Sequence, residues 1–570
     1  MSKLDLSRGG KALLPIVLPE NADPLLQNAA LELSHFLKRV TGCDFETVTG
    51  AVSAPAITLA VDASLAEEEV VVRASSAGLA LSGGSFRGVF YAVYTFLEDV
   101  LGVHFYTQDV TEIPSIPELS VDELNLRDKP ALEFRELDSP TVAGGEWRAR
   151  NRVNGPGAQF PATRDPIRDF GGLKSYAIFV HTFNTLVPPE KYWAEHPEYY
   201  SMVDGVRISE RSQLCLTNPE VLAIATESVK TILRQHPEAS LISVSQNDWY
   251  NPCTCPACAA VDEAEGSHAG TLLRFVNAIA EAIEPEFPHI VVDTLAYQYT
   301  RKPPKITKPR ANVCVRLCSI ECCFAHPLDE CDQATGRFAK MKETSAASFQ
   351  DDLIGWGKIC DRVYIWDYVT NFRHYWMPFP NFQVLGPNMK FFVNNGVKGV
   401  YEEGNYQSVS PDMFELRSWL MAKLMWNPEF DVEKGLADFT SAVYGPAGEE
   451  VNAYIHLLQK RIAEAEGQHF GIYAAPDVYY LDKDTVSQAA ALIAKAQNKC
   501  LNLSQRIYVE KVALSLEFVQ VAQDILAGKI DTARIDAMMD KGRTLGMTFI
   551  SEGCPWHRAQ WGMLQGKLYR

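Results

Sequence analysis

The chain has 570 residues, 47% of them hydrophobic and 22% charged, with a formal net charge of −18. That length exceeds one ordinary hydrophobic core and predicts two or three domains in a globular protein. The acidity argues against a nucleic-acid surface or an anionic membrane as partner, and no stretch reaches the roughly 18 apolar residues of a membrane span.

The opening MSKLDLSRGGKALLPIVLPENADP has no apolar run of signal-peptide length, which predicts a cytoplasmic location. The 13 cysteines, an odd count in such a chain, favour reduced thiols over a disulfide framework. Residues 1–128 read as an N-terminal α/β domain. PIVLPE, PAITLAVD and EVVVRASSAGLALSGG are strands. PLLQNAALELSHFLKRVTG and FRGVFYAVYTFLEDVLG have apolar residues at helical spacing and close on glycine.

From 129 to 427, short apolar runs alternate with helical segments. The runs are ALEFRELD (131–138), YAIFVHTF (176–183), SQLCLTN (212–218), LISVSQND (241–248), IVVDTLAYQY (290–299), NVCVRLCSIE (312–321), RVYIWDYV (362–369) and GVKGVYEE (396–403). Eight β–α units in roughly 300 residues predict an α/β fold centred on a (β/α)₈ TIM barrel. A doubly wound sheet, the rival, would show fewer strands and often a glycine-rich phosphate loop, and no such loop stands out. Residues 428–570 read as a C-terminal α-helical domain, with VNAYIHLLQKRIAEAEG, TVSQAAALIAKAQNK and QRIYVEKVALSLEFVQVAQDIL at helical spacing.

Barrels of this kind carry their sites at the C-terminal ends of the strands. There the sequence places Arg135, His181, Asn247, Asp248, Tyr297, Tyr299, Glu321, Trp366, Asp367, Glu402 and Glu403. Carboxylates suit general acid–base work at a glycosidic bond, and aromatic faces such as Trp249, Tyr250 and Trp366 suit the C–H surface of a sugar. Polar residues at strand ends also serve as simple caps at the solvent boundary, and strand aromatics often belong to the core. Glu402 and Glu403 point to opposite faces of their strand, so at most one enters the barrel, and Glu403 is the choice. Glu321 is either a buried acid or the partner of Arg301 or Arg316.

Several stretches resemble known glycosidases. RGVFYAVYTFLEDVLGVHFYTQDVTEIP resembles the small domain that precedes the barrel in α-glucuronidases and β-N-acetylhexosaminidases, and PALEFRELD resembles their Arg-bearing first barrel strand. MWNPEFDVEKGLADFTSAVYG resembles the segment after the barrel in α-glucuronidases. RLCSIECCFAHPLDEC and GVKGVYEEGNYQS resemble an uncharacterised bacterial family attached to this group. The resemblance implies substrate contact by Arg135 and a general acid at Asp248, with Glu321, Asp367, Glu402 or Glu403 as base or nucleophile. Hexosaminidases carry an Asp-Glu pair after the fourth strand where this chain has Asn247-Asp248, a departure that sets acetamide-assisted chemistry aside.

Cys253, Cys255 and Cys258 form C-x-C-x-x-C, with Cys318, Cys322, Cys323, His326 and Cys331 as downstream companions. A structural zinc site is one reading, and free loop thiols are the other. No further cofactor is expected. The sequence therefore leads to a glycoside hydrolase that removes a terminal uronic acid or amino sugar from an oligosaccharide or glycoconjugate. A non-catalytic carbohydrate-binding barrel and a metal-assisted hydrolase or lyase are the rivals, and a homo-oligomer is compatible with either.

Overall fold

The computed structural model describes residues 3–51, 55–156, 165–336, 338–340 and 348–568. The N-terminal region builds a six-stranded mixed sheet from β1 (Ile16–Leu18), β2 (Thr47–Thr49), β3 (Ala56–Val61), β4 (Val70–Ser75), β5 (Gly78–Gly83) and β6 (Leu124–Asp128). Its order is β6-β4-β5-β3-β1-β2. Two helices pack against it. Helix α1 (Pro24–Thr41) begins where the Asp23 carboxylate accepts the Leu25 amide, and ends at Gly42 with φ 78°. Both ends carry the residues that helix termini need, an acceptor for orphan N–H groups and a left-handed glycine. Helix α2 (Phe86–Thr95) starts on the Ser85 hydroxyl. These elements close a second hydrophobic core, from Leu4 to Val121, which Ala149, Ile167 and Trp426 join.

The second sheet is a curled, all-parallel half-barrel. Its strands are β7 (Phe134–Asp138), β8 (Leu241–Ser243), β9 (Val291–Ala296), β10 (Val313–Cys318), β11 (Val363–Tyr368) and β12 (Val397–Glu403), in the order β7-β12-β11-β10-β9-β8. Helices such as Pro219–Gln235, His268–Ile283 and Phe382–Asn394 connect them.

Two of the eight expected strands do not form as regular strands. Tyr176 makes a single parallel bridge with Leu241, and the chain then turns at His181, whose φ is +59°. Segment 212–218 stays a loop. Leu214 bridges Tyr200, and Asn218 caps the next helix by accepting the Glu220 amide. A run of β-formers ending in Asn-Pro was drawn into helix capping because the Asn side chain competes for those amides.

Inside the curl, the strands present aromatics around a buried ion pair. Arg316 Nη2 lies 2.9 Å from Asp293 Oδ2. The rings of Phe134, Tyr176, Phe179, Tyr364, Trp366 and Tyr401 surround its guanidinium at 5.3–6.0 Å. The helices after residue 428 share one continuous hydrophobic core with this sheet, as where Phe518 packs on Trp376 at 6.2 Å. Among the described residues, no helix is long and apolar enough to cross a membrane.

Candidate active site

Period-2 alternation decides which strand-end residues face inward. On β11, Trp366 and Tyr368 face into the curl, and Asp367 faces out. On β12, Tyr401 and Glu403 face in, and Glu402 faces out. The inward set opens into a cavity of 590 Å³ at the C-terminal ends of the strands. His181, Asp248, Tyr297, Trp366 and Glu403, all expected from the sequence, line it. Gln298, Tyr368, Phe372, Tyr406, Tyr473 and Glu552 line it too and were not expected, while Tyr250 was.

Glu403 is half-buried, and its Oε2 accepts the Trp366 indole N–H at 2.8 Å. Desolvation by the cavity wall pushes its carboxyl well above the usual carboxylate range. The Trp366 bond opposes that shift, and the charges of Glu552, Asp138 and Asp248 add to it. Asp248 differs: it is exposed, and its Oδ1 accepts the Tyr297 hydroxyl at 3.1 Å and the Gln298 amide at 3.5 Å. Two carboxyls in one cavity thus sit in contrasting surroundings, one desolvated and one wet and hydrogen-bonded, an arrangement that separates acid and base roles.

His181 Nδ1 lies 2.9 Å from the Gln246 carbonyl. A carbonyl only accepts, so Nδ1 carries the proton and Nε2 is left to interact elsewhere. His181 and Gln298 both adopt left-handed backbone conformations, φ +59° and +54°. Such strain in non-glycine residues persists where surrounding structure over-determines it, often at functional sites.

The C-terminal region supplies the remaining wall. Backbone bonds lock it onto the loops that follow the strands: Phe372 N–H to Ile472 O at 2.8 Å and Glu552 N–H to Phe372 O at 2.9 Å. Glu552 Oε1 accepts the Tyr406 hydroxyl at 3.1 Å. Nothing local in the sequence around Glu552 signals this destination. Tyr368 was legible, because it repeats the inward phase of Trp366 two residues on.

The other expected site residues lie elsewhere. Arg135 faces outward and is fully buried against the N-terminal region, where Nη1 pairs with Glu68 Oε2 at 2.7 Å and its guanidinium lies 5.5 Å from the Trp426 ring. It joins two regions and does not reach the cavity. Glu321 is buried in an ion pair with Arg301, which also holds Asp352 at 2.7 Å. Asp367 accepts the Ser319 hydroxyl on the outer face, where burial pushes its carboxyl up to about 6. Glu402 beside it is fully buried, with no hydrogen-bond partner for either oxygen among the described residues. Asn247 is also buried, and its amide donates to Asn184 Oδ1 and Ser212 O, both at 2.9 Å, so it braces loops. Tyr299 turns away from the cavity and packs edge-on against His268 at 5.6 Å, and Trp249 is not part of the lining.

Six of the cysteines gather in two groups. All thirteen are free thiols. Cys253, Cys255 and Cys258 are buried together with Cys215, which the sequence reading did not include. Cys318 is part of the cavity wall.

The fold is a parallel β/α half-barrel with a carboxylate-bearing aromatic cavity at its strand ends. The chain belongs to the family described as Domain of unknown function (DUF4838), whose model matches residues 105–456. No curated protein matches it by sequence. Among solved structures, it resembles a family GH115 4-O-methyl-α-glucuronidase, BtGH115A, described as specific for decorated arabinogalactans. That likeness has a TM-score of 0.59 at 14% identity and covers 99% of this chain and 78% of the other. It also resembles the Clostridium perfringens enzyme CpGH89, solved in complex with GlcNAc-α-1,4-galactose, with a TM-score of 0.53 at 10% identity, over 92% of this chain and 64% of that one. At such identities the likeness concerns the fold.

Proposed function

We propose that this protein is a glycoside hydrolase that cleaves a terminal sugar, with Glu403 as general acid and Asp248 as its anionic partner. The contrasting surroundings of these two carboxyls carry the reading. A general acid must stay protonated near neutral pH, and desolvation holds Glu403 in that form. Asp248, wet and hydrogen-bonded by Tyr297 and Gln298, is suited to attack the anomeric carbon or to activate water. The sequence resemblance put the acid at Asp248, and the surroundings of the two side chains favour the opposite assignment. Trp366 is 9% exposed at the cavity wall and offers a stacking face for a sugar.

The cavity chemistry also favours an amino or neutral sugar over a uronate. Asp248, Glu403 and Glu552 line it, and no Lys or Arg appears among its described lining residues. A sugar carboxylate would meet the like charges of Asp248 and Glu552 there without a Lys or Arg to compensate. Turnover of aryl glycosides by the purified full chain tests this. Hydrolysis of a hexosaminide or neutral hexoside in preference to a glucuronide supports the reading. Preference for the glucuronide overturns the sugar assignment. Absence of turnover across the panel, with a sugar still raising the melting temperature, overturns the enzymatic reading.

A further inference from the structure

Two groups of thiols and imidazoles flank the cavity without lining it. In the first, Cys215, Cys253, Cys255 and Cys258 are 2–6% exposed, and their sulfurs all lie within 4.8 Å of one another. They form a cluster apart from both hydrophobic cores, with Met202 as the hydrophobic residue packed against it among the described residues. In the second, Cys323, His326, Cys331 and His469 bring their ligand atoms within the same 4.8 Å.

The separations match a tetrahedral ion. Zinc–sulfur bonds of about 2.3 Å at tetrahedral angles place two sulfurs about 3.8 Å apart, and zinc–nitrogen bonds of about 2.05 Å bring sulfur and nitrogen to about 3.6 Å. Cys215 Sγ lies 3.7 Å from Cys255 Sγ and 3.9 Å from Cys258 Sγ. In the second group Cys323 Sγ lies 3.4 Å from both His326 Nδ1 and His469 Nδ1, and Cys331 Sγ lies 3.6 Å from His469 Nδ1. A disulfide would need sulfurs about 2.05 Å apart, far closer than these. Nearby donors complete the first group: the Met202 amide and the Arg207 guanidinium each reach Cys253 Sγ at 3.4 Å, as an outer shell around a coordinated thiolate would.

We propose that the chain binds two structural zinc ions, one at Cys215, Cys253, Cys255 and Cys258 and one at Cys323, His326, Cys331 and His469. Four-ligand sulfur and nitrogen sets of this kind are closed sites, and soft thiolates with imidazoles select zinc over magnesium or calcium. None of the eight ligands lines the cavity, so neither ion meets substrate there. Each instead anchors a piece of the cavity wall. The first fixes the loop that carries Asp248 and Tyr250, because Cys253 follows them and Cys255 stands immediately before helix Pro256–Glu265. The second clamps the loop after β10 to the C-terminal segment that carries Ile472 and Tyr473, beside the backbone bond from Phe324 N–H to Phe470 O at 2.9 Å.

Metal content of the full-length protein, purified without chelators and measured by inductively coupled plasma mass spectrometry, tests it. Two zinc ions per chain are expected, falling to one in Cys215→Ser and to one in His469→Ala. The Co²⁺-substituted wild type provides a readout that does not rely on the variants folding. It is expected to show the visible bands of tetrahedral cobalt with thiolate charge transfer. No zinc in the wild type even after incubation with Zn²⁺, iron in its place, a content unchanged by both substitutions, or octahedral cobalt spectra would each overturn the proposal.

Discussion

The indole N–H of Trp366 donates to Glu403 Oε2 at 2.8 Å, linking the inward faces of two adjacent parallel strands at the cavity mouth. The same Trp366 ring packs edge-on against Tyr401 at 4.5 Å, and the Tyr401 hydroxyl reaches Asp138. One bond therefore ties the position of the proposed sugar platform to the proposed acid, and it counters part of the desolvation that keeps that acid protonated.

Removing that donor has a signed consequence. The bond favours ionised Glu403, so Trp366→Phe raises an already elevated pKa further. The acid must be protonated, so activity falls as pH rises through that pKa. The alkaline limb of kcat/KM is expected to move up by about one pH unit in the variant, the scale of one hydrogen bond to a charged group. A limb that stays in place or moves down removes Glu403 from the acid role.

The two carboxyls can be separated by leaving group. Glu403→Gln is expected to lower kcat/KM on aryl glycosides with poor leaving groups by about 10²- to 10⁴-fold, and much less when the leaving phenol is acidic. Asp248→Asn is expected to lower both by a similar factor. Comparing 4-methoxyphenyl with 2,4-dinitrophenyl glycosides reads the difference. The reverse pattern would restore the acid to Asp248.

Glu402 is expected to weaken the fold as pH rises. Burial, then the neighbouring charge of Asp367, pushes its carboxyl well above the ordinary range. The folded state therefore holds a proton that the unfolded chain loses at about pH 4.5. Between those two pKa values stability declines with increasing pH. Glu402→Gln keeps the shape without the titration, so its melting temperature relative to wild type is expected to climb from pH 4 to pH 8. Parallel curves for the two proteins would show that Glu402 does not titrate in this way.

The Arg135–Glu68 pair predicts acid sensitivity at the junction between the two sheets. Burial opposes the charge on Glu68, but Arg135 and Arg87 outweigh it and hold its pKa down to about 2. Its stabilisation is complete above the unfolded carboxylate pKa and is lost as pH falls toward about 2. Arg135→Ala leaves a buried carboxylate facing the remaining Arg87 and is expected to cost about 3–5 kcal/mol in urea unfolding. KM of the residual folded enzyme should stay near wild type. A KM rise of tenfold or more with unchanged stability would return Arg135 to the substrate.

Much of this molecule was written in local patterns. Alternation along GVKGVYEE and RVYIWDYV determined that Glu402 and Glu403 take opposite faces, as do Trp366 and Asp367, because side-chain direction reverses at every residue of a strand, and the folded sheet decided that Glu403 and Trp366 are the inner pair. Helix α1 was likewise marked by its own apolar spacing and closing glycine. The sequence alone could not decide which strand ends meet a cavity and which meet another layer of protein. The resemblance pointed Arg135 at the substrate until Glu68 took its charge, and the two readings of Glu321, catalytic acid or partner of Arg301 or Arg316, were settled in favour of Arg301. SQLCLTN looked like a strand until Asn218 capped a helix and Cys215 turned toward three cysteines about forty residues away. Glu552 and Tyr473 arrive at the cavity from the C-terminal region, and His469 arrives beside Cys323, His326 and Cys331; no local periodicity encodes either arrival. Local pattern fixes the direction of a side chain on its own element. What that side chain meets depends on long-range packing, which only the folded chain brings about.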